Sequence, residues 1–158
     1  MHILIDADCL IAGTLTSEGA TTELLDLWLD SEFELFVCPQ LIQEVVRALL
    51  HPQVSNKYDI TKEEVEGFAQ RLFEKSVSFD DPLDPPRVVP DYPNDDYLVA
   101  LALTAEAEFL VTRDRHFRAG SNKRSTDREP SPDGPATPKR IVKLDTTPPV
   151  RRVHYQTP

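Results

Sequence analysis

Short apolar runs alternate with amphipathic segments, and that alternation constrains the fold more tightly than any other feature of the chain. Residues 2–5 (HILI), 33–38 (FELFVC) and 108–112 (EFLVT) are too apolar to alternate between a wet and a dry face. They read as strands of a parallel sheet covered on both sides. RVV (87–89) is the candidate third strand in chain order and RIVKL (140–144) the fifth. Between them lie segments with helical spacing. In TTELLDLWLD the apolar positions are Leu24, Leu25, Trp28 and Leu29, and in PQLIQEVVRALLH they are Leu41, Ile42, Val45, Val46 and Leu49. Pro39 suits the first helical position, and His51-Pro52 ends the segment because a residue before proline disfavours helical backbone. TKEEVEGFAQRLFEKS follows, with Asp59 or Thr61 as its cap. PNDDYLVALALTAEA opens at Asn94 to Asp96. Gly13 to Ala20 reads as a turn. Strands alternating with helices give an α/β, three-layer α/β/α architecture around a mostly parallel central sheet of about five strands.

Length and composition agree. The 158 residues suit a single domain spanning 1–158, and a hydrophobic content of 40% supplies a core. Residues at about 120–139 are rich in Pro, Ser and charge and read as a flexible insertion, with a C-terminal strand and tail at 140–158. No run approaches the roughly 20 apolar residues that span a bilayer, and no secretory leader pattern opens the chain. Cys9 and Cys38 form neither a disulfide framework nor a zinc spacing, so the expected setting is reduced and cytoplasmic, with no membrane partner.

The first strand runs directly into Asp6, with Asp8 two residues later. Ligands of open α/β sheets bind beyond the carboxyl ends of the strands. Asp6 follows the first strand and Asp114 follows EFLVT. Asp95 and Asp96 open the helix that leads into EFLVT, and Glu44 sits at the border of the apolar face of the helix after FELFVC. Each has an ordinary structural explanation: a helix cap for Asp95, a surface pair for Glu44, a turn for Asp114. Taken together, four elements deliver acids to one end of one sheet. Carboxylates so placed repel one another and raise each other's pKa, and a divalent cation removes that penalty. Oxygen-only donors select Mg²⁺ or Mn²⁺, and with no His or Cys in the set zinc is disfavoured.

These segments resemble the PIN-domain ribonucleases, which include the VapC-type toxins. The opening D-x-N-x-L-(I/V) of that family looks like Asp6-Ala7-Asp8-Cys9-Leu10-Ile11, with Asp8 where Asn is common. S-P-x-x-x-x-E looks like CPQLIQE, with Cys38 for Ser and Glu44 as the acid. The acidic helix start looks like YPNDDYLVALAL, in which Asp95 and Asp96 are both eligible, and T-x-D matches Thr112-Arg113-Asp114. The resemblance covers residues 1–118, with the fifth strand a weaker match. It implies a PIN-like fold and hydrolysis of RNA phosphodiesters with Mg²⁺ or Mn²⁺. Asp6, Glu44, Asp95 or Asp96, and Asp114 would hold the metal and carry catalysis, with Asp8 supporting and Thr112 orienting water. An antitoxin protein and a second copy of the chain are candidate partners.

The net charge of −10 conceals a split. Residues 1–112 carry 6 Lys and Arg against 22 Asp and Glu, whereas residues 113–158 carry 11 against 5. Arg113, Arg115, Arg118, Lys123 and Arg124 lie close behind the last acid and are candidates to grip RNA phosphates. Two rival functions fit parts of the pattern. IDADCL imitates the D-x-D of haloacid-dehalogenase-type phosphatases, although the helix-opening acid pair and the late Asp114 do not suit that class. A non-catalytic PIN-like scaffold would bind RNA or protein without calling for four converging carboxylates.

Overall fold

A computed structural model of the chain describes residues 1–85, 96–114 and 140–144. Its centre is a five-stranded sheet, all parallel, in the order β3-β2-β1-β4-β5. The strands are β1 (His2–Ile5), β2 (Glu34–Val37), β3 (Val77–Ser78), β4 (Phe109–Thr112) and β5 (Arg140–Lys143). Six helices connect them among the described residues: α1 (Ala7–Leu15), α2 (Ala20–Leu29), α3 (Pro39–Leu50), α4 (Pro52–Tyr58), α5 (Lys62–Lys75) and α6 (Asp96–Thr104). The three-layer α/β/α architecture expected from the alternation is therefore present.

β1, β2 and β4 are buried along most of their length because helices cover both faces, which is why their sequences do not alternate. Leu4, Ile5, Leu35, Val37 and Leu110 are inaccessible to solvent and pack against Leu10, Leu25, Trp28, Leu41, Leu49, Leu72 and Leu101 from the helices. α3 ends as its sequence requires: His51 takes extended backbone and Pro52 starts a new helix. Thr61, one of the two expected caps of α5, closes a full capping box with Glu64.

Two readings need correction, and a further strand joins the sheet. The stretch read as a turn from Gly13 includes the last turn of α1, which runs from Ala7 to Leu15. Ile11, Ala12 and Leu15, only half-buried, are as apolar as the buried Ala7, Cys9 and Leu10, so little 3.6-residue periodicity shows in the sequence. A short helix, α4, follows Pro52 where none was expected. The described sheet takes Val77–Ser78 as the strand that follows α5, pairing with β2 at Phe36 and Val37. Two exposed residues carry no legible strand pattern. The segment 87–89 lies outside the described residues, as does the expected insertion at about 120–139.

The strand order fixes where a ligand can sit. From β1 the chain winds outward through β2 and β3, then returns to place β4 and β5 on the other side. The crevice at the carboxyl ends of β1 and β4 is the topological switch point, where the connections leave in opposite directions and leave a gap.

Candidate active site

Asp6 stands at that crevice. Its backbone N–H donates to the Val111 carbonyl at 2.9 Å, extending the β1–β4 ladder by one residue, so its position is rigid. Its side chain also starts α1. Oδ1 accepts from the N–H of Asp8 at 2.6 Å and of Cys9 at 3.2 Å, which makes Asp6 the N-cap. The Thr112 hydroxyl, from the end of β4, donates to Oδ2. Thr112 is itself fully buried and accepts from the Asp114 N–H at 2.9 Å. A continuous chain of hydrogen bonds thus crosses the switch point from Asp6 through Thr112 to the backbone of Asp114.

Asp6 is only 4% exposed, and its pKa is pushed up to about 6. Burial is the largest cause, because removing a carboxylate from water disfavours its charged form. The Thr112 hydrogen bond opposes it, and the nearby charge of Asp8 adds to it. The repulsion that reaches Asp6 comes from Asp8, which is not one of the four converging acids, and it ranks behind desolvation and the Thr112 bond. Asp8 itself is exposed.

A second group of side chains meets beside the first. Glu44, in the second turn of α3, lies on the exposed side of the helix, yet its Oε2 accepts a 2.5 Å hydrogen bond from the hydroxyl of Tyr97. Tyr97 is 3% exposed and follows Asp96 in the first turn of α6. Burial first, then Glu44, raises the Tyr97 pKa far above the ordinary phenol range, so its hydroxyl remains a donor. The Cys38 thiol and the Asp6 carboxyl are also within electrostatic reach of it, which puts the ends of β1 and β2 and the start of α6 in one neighbourhood. Asp96 is buried at 2% exposure within the same turn.

Cys38 stands at the N-cap of α3 and makes no side-chain cap bond. Asp81 does that work from a distant segment, accepting from the Gln40 N–H at 2.7 Å. Cys38 and Cys9 are both free and buried, and burial raises the Cys38 thiol to about 12 and the Cys9 thiol further still. The Arg113 charge lies near Cys9, at the end of β4.

Of the candidate acids, Asp6, Glu44, Asp96 and Asp114 all lie toward the carboxyl end of the sheet. Asp95 lies outside the described residues, as do Arg115, Arg118, Lys123 and Arg124. Among the described residues, no three acidic, His or Cys side chains are close enough to enclose one ion. Tyr97 went unnoticed in the sequence. Its signal was an aromatic hydroxyl inside an otherwise aliphatic buried helix, where a polar tip needs a partner.

A five-stranded, all-parallel α/β sheet with a buried carboxylate at its β1–β4 switch point defines the class of fold. The chain belongs to the PIN-domain family, whose model matches residues 2–116. PIN domains are in general nucleases that act on RNA, typically with divalent metal ions. The match ends before β5, which nevertheless pairs with β4 over four residues. A search of curated proteins finds no match. Among the described residues no helix is long and apolar enough to cross a membrane.

Proposed function

We propose that the chain is a Mg²⁺- or Mn²⁺-dependent endoribonuclease, working in the cytoplasm as the toxin of a toxin–antitoxin pair. The observation that carries the catalytic part is Asp6: a carboxylate at the switch point, nine-tenths or more removed from solvent, with its proton held up to about pH 6. A buried acid of this kind gains from a cation, which stabilises the charge that burial penalises. The donors are oxygens throughout, which fits a hard divalent ion. Mg²⁺ keeps several waters and takes one or two carboxylates directly, so three converging side chains are not required.

Asp6 and Glu44 would hold the ion directly, with Asp95 or Asp96 and Asp114 acting through its bound waters or on a second ion. When bound, the ion supplies Lewis acidity toward a phosphoryl oxygen and a more acidic water. Thr112 holds Asp6 in one orientation, and the Asp6 cap bonds fix Oδ1, so the carboxylate does not need to reorganise during turnover. Arg113, Arg115, Arg118, Lys123 and Arg124 would hold the RNA backbone beside the acids. Free thiols at Cys9 and Cys38 support a reducing compartment. An antitoxin protein and a second copy of the chain are the proposed protein partners.

The phosphatase alternative loses its footing, because the family match replaces the D-x-D imitation that motivated it. The test uses protein stripped with chelator and then given Mg²⁺, Mn²⁺ or Zn²⁺, with RNA and p-nitrophenyl phosphate as parallel substrates. RNA cleavage restored by Mg²⁺ or Mn²⁺, with the phosphate ester untouched, is the expected result. RNA binding without cleavage under every metal would instead identify a non-catalytic scaffold.

A further inference from the structure

We infer that Tyr97 is a positioning residue that holds the Glu44 carboxylate in place for a cation, engaging one oxygen so that Glu44 offers the ion chiefly the other. The inference rests on the metal-dependent reading above and adds a residue to it. Glu44 sits on the exposed side of α3, and a glutamate there ordinarily samples many rotamers. Here its Oε2 is held by the hydroxyl of a buried ring on a different helix. That contact links the middle of α3 to the first turn of α6, fifty-three residues apart in sequence. Because the partner is a carboxylate, the phenol can only donate, and hydrogen bonds to ionised acceptors are the strong ones. Such partners behind a metal ligand fix its orientation and tune its affinity.

Engaging one oxygen has a consequence for ion choice. Ca²⁺ takes six to eight oxygens and commonly uses both oxygens of a carboxylate, whereas Mg²⁺ and Mn²⁺ sites make do with fewer, single-oxygen contacts. A glutamate tied by one oxygen therefore favours the smaller ions. The competing explanation is that Glu44 merely satisfies a buried hydroxyl and ties two helices together. That role predicts a change in stability but none in ion preference.

The test measures Mn²⁺ binding to metal-free protein by the loss of the free-ion electron paramagnetic resonance signal, alone and against Ca²⁺. Wild type is compared with Asp6→Asn, Tyr97→Phe, Glu44→Gln and the Glu44→Gln/Tyr97→Phe double variant, each checked for folding by circular dichroism. The expected result is Mn²⁺ affinity about tenfold weaker in Tyr97→Phe, with Ca²⁺ displacing Mn²⁺ at a lower ratio than in wild type. In the Glu44→Gln background, removing the hydroxyl should change residual Mn²⁺ binding no further, because Tyr97 acts through Glu44. Wild-type affinity and preference in a folded Tyr97→Phe protein, while Asp6→Asn abolishes binding, would overturn the inference and leave the metal site standing. So would a Tyr97→Phe loss that persists undiminished without Glu44, or a Tyr97→Phe chain that does not fold. No Mn²⁺ binding by wild type would remove both the metal reading and this inference.

Discussion

Asp6 serves two structural purposes before any chemistry. It closes the first strand and caps the first helix, and its second oxygen takes a hydroxyl from across the crevice. The strand end and the acid pair were legible in IDAD, but the cap was not, because the helix behind it was hidden. The raised pKa has a definite consequence for stability. A carboxyl whose folded pKa lies at about 6 against an ordinary 3.8 binds its proton more tightly when folded. Its contribution is therefore most favourable below about pH 4 and is lost as pH rises toward 6, by about 3 kcal/mol in the metal-free protein. Asp6→Asn keeps Oδ1 for the Asp8 and Cys9 N–H groups and removes the charge. Urea denaturation of metal-free wild type and Asp6→Asn across pH 4 to 7.5 should show the variant gaining relative stability as pH rises. A difference that does not vary with pH would mean that Asp6 ionises freely in the fold. Saturating Mn²⁺ should offset the loss in wild type and not in the variant.

At the scale of elements, the parts that displayed themselves were those with one dry face. α3 and α5 are amphipathic, and their positions were readable to within a residue or two, with Thr61 one of the two caps the sequence left open for α5. α1 was not readable because its half-buried positions Ile11, Ala12 and Leu15 are as apolar as its buried ones, and β3 was not because two exposed residues have no periodicity. Gly13 looked like a turn residue, yet it lies inside α1 for a packing reason. A Cβ there would stand 2.7 Å from Leu25 Cδ1 and 2.7 Å from the Thr21 carbonyl oxygen. The second of these is backbone and cannot swing aside. Gly13→Ala would add helix propensity worth about 1 kcal/mol, and the clash between α1 and α2 should outweigh it, since overpacking costs about 1–3 kcal/mol. Thermal denaturation should show a melting point lower by a few degrees. A higher melting point would show that α2 can retreat without loss. Glu44 illustrates the converse limit. Its border position was visible on a helical wheel, but its partner came from α6, and no local pattern announces a contact made across the fold.

At the scale of the molecule, the charge split meets the topology. β4 ends at the crevice, and the chain beyond Thr112 carries the basic excess, beginning with Arg113. If Arg113, Arg115 and Arg118 hold single-stranded RNA, neutralising all three should weaken binding at every sequence. The slope of log affinity against log salt should flatten by about 2, at roughly 0.7 per phosphate contact. An unchanged slope in a salt series would instead assign these arginines to a protein partner. The central claim, that the acids at the switch point cleave RNA with a divalent ion, is tested most directly on Asp6. The measurement is RNA cleavage by folded wild type and Asp6→Asn under saturating Mg²⁺ or Mn²⁺. Groups that merely support a metal ligand are worth about 10–100-fold, so loss of a ligand itself should cost on the order of a hundredfold or more. Cleavage by a folded Asp6→Asn protein at the wild-type rate would contradict the account.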